Sequence, residues 1–353
     1  MLIKNLYLEN FRLFDQTKLT IKGSCIIFGK NGSGKTSILE ALEVLFSGKS
    51  FRQRDLKKCI SKRSNKFRIA LRAILEGAEL KIIAKKSCKG RLETNRRLDE
   101  KPFKLKNNLY SSLVTARTLR MIEGEAELRR DFFNKIMFHV EPETKELHSN
   151  YLKALQNRNK LLKKNSYKEL SVWTDRLEQS GTALSKKQEV FFDVFTKHLE
   201  DYFLELDLND DLKIFRKFNI KFSPGWKGSS LKSSIEDSFA KDKILGFTST
   251  GPHRIDLIYK IQTIPASSIL SRGQQKLLIL LIFMSISSFL KLKSKLPSTL
   301  LIDDFASELD LANLSFFLKQ VLASDCQVIL TAIDKEKDKI NREILSNFQQ
   351  INL

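Results

Sequence analysis

The sequence predicts an α/β fold built on a parallel sheet and interrupted by a helical arm, and three stretches of the 353 residues predict it. Residues 24–46 read as an apolar strand, a glycine-rich loop and a helix. Residues 299–304 read as a second apolar strand that ends in two carboxylates. Between them, roughly 80 residues repeat apolar side chains by threes, fours and sevens, the pattern of a helical hairpin.

Residues 29–36 read GKNGSGKT and fit G-x-x-x-x-G-K-[ST], the phosphate-binding P-loop. The flanks supply its context: Cys25-Ile26-Ile27-Phe28 suits a buried strand, and residues 37–46 carry helical spacing. Gly29, Gly32 and Gly34 let the backbone through Lys30, Asn31 and Ser33 fold tightly. Its N–H groups then face phosphate oxygens at a helix N-terminus. Lys35 is expected to reach the β- and γ-phosphates and the Thr36 hydroxyl to bind Mg²⁺. The chain is therefore expected to bind a nucleoside triphosphate.

Composition narrows the partners. Apolar residues make up 42% and charged residues 29%, as in a soluble globular protein with a sizeable core. The N-terminus runs straight into a strand-like stretch, without a signal peptide. The longest apolar run, residues 277–286, suits a buried helix rather than a membrane span. A cytoplasmic protein with no membrane partner is expected. Cys25, Cys59, Cys88 and Cys326 are scattered, as reduced packing residues are. Net charge is +21, and residues 49–106 hold 20 Lys/Arg against 6 Asp/Glu. So large a basic field favours nucleic acid. Arg52, Arg54, Lys57, Lys58, Lys62 and Arg63 are the candidate DNA contacts.

Along the chain, residues 1–14 alternate with period two, setting Leu2, Lys4, Leu6 and Leu8 against Ile3, Asn5, Tyr7 and Glu9. A turn at residues 10–12 leads to a second strand near residues 18–21. Residues 67–75 and 80–85 read as strands with a turn at Glu76-Gly77. Helices are expected over residues 125–138, 143–164 and 167–206, with Leu170, Trp173, Leu177, Leu184, Phe191, Phe195 and Leu199 as bundle core. Strand-like alternation returns at residues 211–222, and a loop follows. The domain expectation is an ATPase head over residues 1–115 and 231–353, with the arm at 116–230.

Three more motifs complete a nucleotide site. Residues 299–304 (TLLIDD) form a Walker B pattern: Asp303 is expected to help hold Mg²⁺, and Asp304 to orient or deprotonate the attacking water. Ser271, Gly273 and Gln274 lie in LSRGQQK, a serine–glycine–helix start suited to sensing a γ-phosphate. ASELD, ending at Asp310, follows Walker B directly. His139, His148, His198 and His253 are dispersed and form no metal set.

LSRGQQK resembles the signature of ABC ATPases, with Arg272 in place of the first Gly. LSRGQQKLL and IDDFASELD, with TGPHR at residues 250–254, Arg129-Arg130-Asp131-Phe132 and Ser50-Phe51-Arg52, resemble the RecF family of bacterial repair ATPases. The resemblance runs from Leu6 to about residue 333. It implies an SMC-like, ABC-type head with a short helical arm, a weak DNA-stimulated ATPase with ATP and Mg²⁺ as cofactors. It also implies an ATP-induced homodimer on DNA that works with RecO and RecR to direct RecA to gapped DNA. In that superfamily Ser271, Gly273, Gln274 and Asp310 address the partner subunit's nucleotide.

The sequence departs from the pattern in four places. Thr115 stands near the Q-loop position without a Gln, Thr331-Ala332 stands where the switch His is usual, and Ile255 replaces the acid after GPHR, with Asp256 next. Asp304 replaces the common Glu and is one methylene shorter, so turnover is expected to be slow. The alternative reading is an ABC-type subunit driving another partner, in transport or nucleic-acid processing. The basic segment, the arm pattern and the absent switch His weigh against transport.

Overall fold

The computed structural model describes residues 1–103, 111–294 and 298–353. It divides into two compact units, Met1–Leu119 with Ser271–Leu353, and Arg120–Leu270. In chain order the first unit opens with β1 (Leu2–Phe11), β2 (Phe14–Thr20), β3 (Cys25–Phe28) and α1 (Lys35–Ser47). It continues through β4 (Lys66–Leu75), β5 (Ala78–Ser87), β6 (Glu93–Leu98), β7 (Lys101–Pro102) and β8 (Ser111–Val114). After α2 (Ala116–Glu123), the second unit holds α3 (Ala126–Val140), α4 (Thr144–Lys163), α5 (Leu170–Glu205) and β9 (Phe218–Ser223). It ends with α6 (Leu231–Asp237), α7 (Phe239–Leu245), β10 (Asp256–Ile261), β11 (Ile264–Pro265) and α8 (Ala266–Ile269). The first unit resumes with α9 (Arg272–Ser294), β12 (Thr299–Ile302), α10 (Leu311–Ala323), β13 (Gln327–Ala332), α11 (Arg342–Ser346) and β14 (Gln349–Asn352).

Two sheets enclose α1. One is antiparallel, in the order β2-β1-β4-β5-β6-β7, and the other is parallel, in the order β14-β3-β13-β12-β8. The core packs α1 side chains against β1, β4 and β5 on one side and Leu301 and Ile329 of the parallel sheet on the other. Facing apolar surface on both sides explains why Ile38, Leu39, Leu42, Val44 and Leu45 are all fully buried rather than forming a single stripe. Gly48 ends the helix in the left-handed region (φ 73°) and donates its N–H to Val44 O. The two-residue turn Glu76-Gly77 joins β4 to β5, both residues at positive φ (51° and 87°), as hairpin twist requires.

The strict alternation expected of β1 is corrected by a bulge. Ile3, not Leu2, shares the core with Leu6 and Leu8, because the pairing with β4 shifts register between Ile3 and Asn5. One extra residue flips the faces beyond it. The buried helix expected around residues 277–286 is the middle of α9. By length and composition α9 would also span a membrane, but 72% of its most apolar window is buried within the protein, as in a core helix.

Four of the five parallel strands end together at one edge, Phe28 beside Ala332, and Ile302 beside both Leu330 and Val114. Ligands of open parallel sheets bind outside such carboxyl ends. Phe28, Val114 and Ile302 lead directly into Gly29, Thr115 and Asp303.

In the second unit α4 and α5 form the expected hairpin. Leu170, Leu177, Leu184, Phe191, Phe195 and Leu199 are buried, while Trp173 is half-buried with the Arg176 guanidinium 4.9 Å from its ring centre. Phe133 meets Phe191 edge-on at 5.3 Å. The strand expected over residues 211–222 is corrected in its first half, where Asp210–Lys217 forms a 3-10 helix capped by Asn209. Only Phe218–Ser223 is extended.

The return to the head expected at residue 231 lies at Ser271. β9 pairs antiparallel with β10, so residues 224–255 are bracketed by a hairpin-like sheet and stay with the second unit. A buried network fastens this segment to α4. Arg158 Nη1 donates to Asp242 (2.8 Å) and Thr248 (2.7 Å), and Asn159 accepts from the Thr248 N–H and hydroxyl.

The family elements of this unit are structural fasteners. Arg129 pairs in two-pronged fashion with Asp256 (2.8 and 2.9 Å), and Arg130 donates to Ile255 O. Asp256 thus provides the acid that Ile255 lacks, and Ile255 is core. His253 Nε2 faces the Thr248 carbonyl and must donate to it, so Nδ1 accepts from the Tyr151 hydroxyl at 2.6 Å. Burial pushes the His253 pKa down to about 4, in keeping with that neutral ring.

Candidate nucleotide site

The P-loop crosses from β3 to α1 at the carboxyl edge of the parallel sheet. Gly32 and Gly34 take φ of 85° and 108°, in the left-handed region that favours glycine. At Gly34 a Cβ would also lie 2.5 Å from the Phe14 ring, so the β1–β2 hairpin tip closes against the loop. Lys35 is buried and donates from Nζ to Gly29 O (2.6 Å) and Lys30 O (2.9 Å). The Ser33 hydroxyl is buried without a partner. A cradle of turned backbone, one ammonium and an unsatisfied hydroxyl suits a polyphosphate.

Walker B meets this loop across 267 residues of sequence. The Thr36 hydroxyl donates to Asp303 at 3.0–3.1 Å, and the Thr331 hydroxyl donates to Asp303 Oδ1 at 2.7 Å. Thr331 also accepts the Asp304 N–H at 2.9 Å. A hydroxyl facing a carboxylate is the donor set of a hard divalent ion, so these residues fit Mg²⁺. Thr331 stands where the switch His is usual and ties the Asp303 carboxylate to the Asp304 main chain. Asp304 is exposed at the strand end with φ 54°. Glu336, buried nearby, has its pKa raised by burial and then by the Asp304 charge. Thr115 starts at the same edge, where the Asp303 N–H donates to Val114 O.

The signature residues form a second group at the start of α9. The Gln274 N–H donates to Ser271 Oγ (3.2 Å) and the Ser271 N–H to Gln274 Oε1 (3.0 Å), a reciprocal capping box. At Gly273 a Cβ would fall 2.7 Å from Glu308 O, so this position admits no side chain. Asp310 caps α10, accepting from the Asn313 N–H (2.8 Å) and side chain (2.7 Å).

The six candidate DNA cations are all exposed. Their segment is pinned by a side chain the sequence reading passed over, Glu40 of α1, whose carboxylate is fully buried. Arg12 donates to both Glu40 oxygens (2.8 and 2.5 Å) and to Lys58 O, Ser50 donates to Glu40, and Arg52 approaches it at 3.8 Å. Arg63 lies 3.6 Å from Asp15. Lys104 and Lys106, part of the basic stretch, lie outside the described residues.

These features define an α/β ABC-type ATPase head of the SMC-like class, interrupted by a helical unit. The family described as the RecF/RecN/SMC N terminal domain matches residues 2–351. A DNA replication and repair protein RecF of Hahella chejuensis is 32% identical over 94% of this chain and 90% of its own. That of Pseudoalteromonas translucida is 30% identical over 95% and 96%. The chain belongs to the RecF family. A solved recombination mediator protein RecF-ATPrS of the RecFOR pathway shares the fold with a TM-score of 0.79, over 96% of this chain and 94% of that one, at 21% identity. An Smc head bound to the C-winged helix domain of ScpA follows at 0.56 and 15% identity, over 100% and 94%.

Proposed function

We propose that the chain is an ATP-dependent DNA-binding protein of recombinational repair and replication. It forms an ATP-induced homodimer on DNA and works in the cytoplasm with RecO and RecR to direct RecA to gapped DNA. The observation that carries the ATP reading is the meeting of Lys35, Thr36, Asp303 and Thr331 at one sheet edge. The P-loop N–H groups and Lys35 bind the phosphates, and Thr36 and Asp303 hold Mg²⁺. The ion, when bound, neutralises charge on the β- and γ-phosphates. Asp304 holds the attacking water, while Ser271, Gly273, Gln274 and Asp310 address the nucleotide of the partner subunit. The short Asp304 side chain supports weak turnover, and stimulation of it by DNA belongs to the same proposal.

Asp304→Asn tests this reading. Asparagine tolerates the left-handed backbone at least as well, so the loop is retained. ATP binding is expected to persist while hydrolysis falls by about 100-fold or more. Turnover at the wild-type rate removes Asp304 from the mechanism.

The names of the relatives and the basic segment support the DNA reading. Charge reversal of several of Arg52, Arg54, Lys57, Lys58, Lys62 and Arg63 is expected to weaken binding to all sequences alike. The slope of log affinity against log salt should fall by about 0.9 for each duplex phosphate that is no longer neutralised. An unchanged slope places the DNA elsewhere.

A further inference from the structure

Lys276 lies one turn into α9 and is 5% exposed. Its Nζ donates to Asp304 O (2.7 Å), Ser307 O (2.6 Å) and Ser307 Oγ (2.6 Å). An ammonium has three protons, and these three acceptors take all of them. The loop that supplies them is conformationally demanding. Asp304 and Glu308 both take left-handed φ, 54° and 65°, a region uncommon for non-glycine residues and least favourable here for Glu308. The Ser307 hydroxyl also turns back onto Asp304 O at 3.1 Å. Burial lowers the Lys276 pKa, while Asp304 and Glu308 act in the opposite direction. Gly273 closes the same junction from the first turn of α9 against Glu308 O.

We infer that Lys276 is a positioning residue that fixes the Asp304 main chain, and through it the carboxylate, together with the loop from Ser307 to Asp310, so that signature helix and hydrolytic residue move as one body. The inference rests on the reading of Asp304 as the water-holding carboxylate. Because the signature serves the partner's nucleotide on that reading and Asp304 serves its own, Lys276 joins the two ATP sites of a dimer through a single side chain.

The test compares Lys276→Met, Lys276→Arg and Ser307→Ala with wild type for kcat, affinity for a fluorescent ATP analogue, and melting temperature. A misplaced catalytic group costs rate rather than ground-state binding. Lys276→Met is therefore expected to lower kcat by at least about 10-fold while nucleotide affinity stays within about 3-fold. Lys276→Arg keeps charge and donors and should recover part of the loss. Ser307→Ala removes one acceptor on a half-exposed loop and should lower kcat by roughly 3-fold with an unaltered melt. A wild-type kcat in Lys276→Met overturns the inference. So does a kcat loss matched by an equal loss of affinity and unrelieved by arginine. If the methionine variant does not fold, Ser307→Ala decides, and a wild-type kcat there overturns it. A wild-type protein without ATP turnover is a different failure, which overturns the ATPase reading and this inference with it.

Discussion

Lys35→Met is expected to lower ATP turnover and nucleotide affinity by at least about 100-fold, the scale on which removal of a single preorganised charge-stabilising donor acts. The ammonium is the one side-chain cation that the P-loop folds around, held by Gly29 O and Lys30 O inside the turn. Methionine matches its length and is apolar, so it fills the volume and removes only the charge and the donors. The two carbonyls left behind belong to a loop that reaches solvent at Lys30 and Asn31. The helix itself is anchored by Ile38, Leu39, Leu42, Val44 and Leu45, all fully buried. The melting temperature should therefore stay within a few degrees of wild type while binding and hydrolysis collapse. A folded variant that hydrolyses ATP at the normal rate removes the P-loop assignment.

What was legible in the sequence was what local chemistry specifies. The P-loop has a fixed spacing, Gly32 and Gly34 are demanded by positive φ, and the strand leading into Asp303 reads as a short apolar run. The arm was legible because its apolar positions recur over the 36 residues of α5. The return to the head was misplaced because β9 pairs with β10 across residues 224–255, and pairing across such a gap leaves no mark in either strand. The bulge in β1 was hidden for a related reason, since it is set by register against β4. Glu40, Lys276 and Thr331 were missed as site residues because their partners are distant in sequence. A glutamate inside an apolar helix, as in Leu39-Glu40-Ala41, was the available signal for Glu40. Ser271-x-x-Gln274 was legible as a capping box, which would have placed the start of α9. Nothing local separates Lys276 from a surface lysine.

Ser271→Arg and Lys35→Met, each nearly inactive alone, are expected to restore activity when mixed, if the ATP site is shared between subunits. Ser271 is exposed at the start of α9, and its capping bond with Gln274 stabilises that end by about 1 kcal/mol. α9 is otherwise held by fully buried residues such as Leu277, Leu278, Ile282 and Ile286, so the arginine variant should fold with an intact P-loop. In its homodimer both signatures are blocked, and in the Lys35→Met homodimer both P-loops are spoiled. A heterodimer holds one complete site, with Lys35 from the first chain and Ser271 from the second. Random pairing makes about half the dimers mixed, each with one good site of two, so about a quarter of wild-type activity should return. Heterodimers are counted independently, by differently tagged chains. If they form and bind ATP and DNA but no activity returns, the signature acts within its own chain or the two sites fire only together. Normal hydrolysis by Ser271→Arg as a monomer removes the shared site altogether.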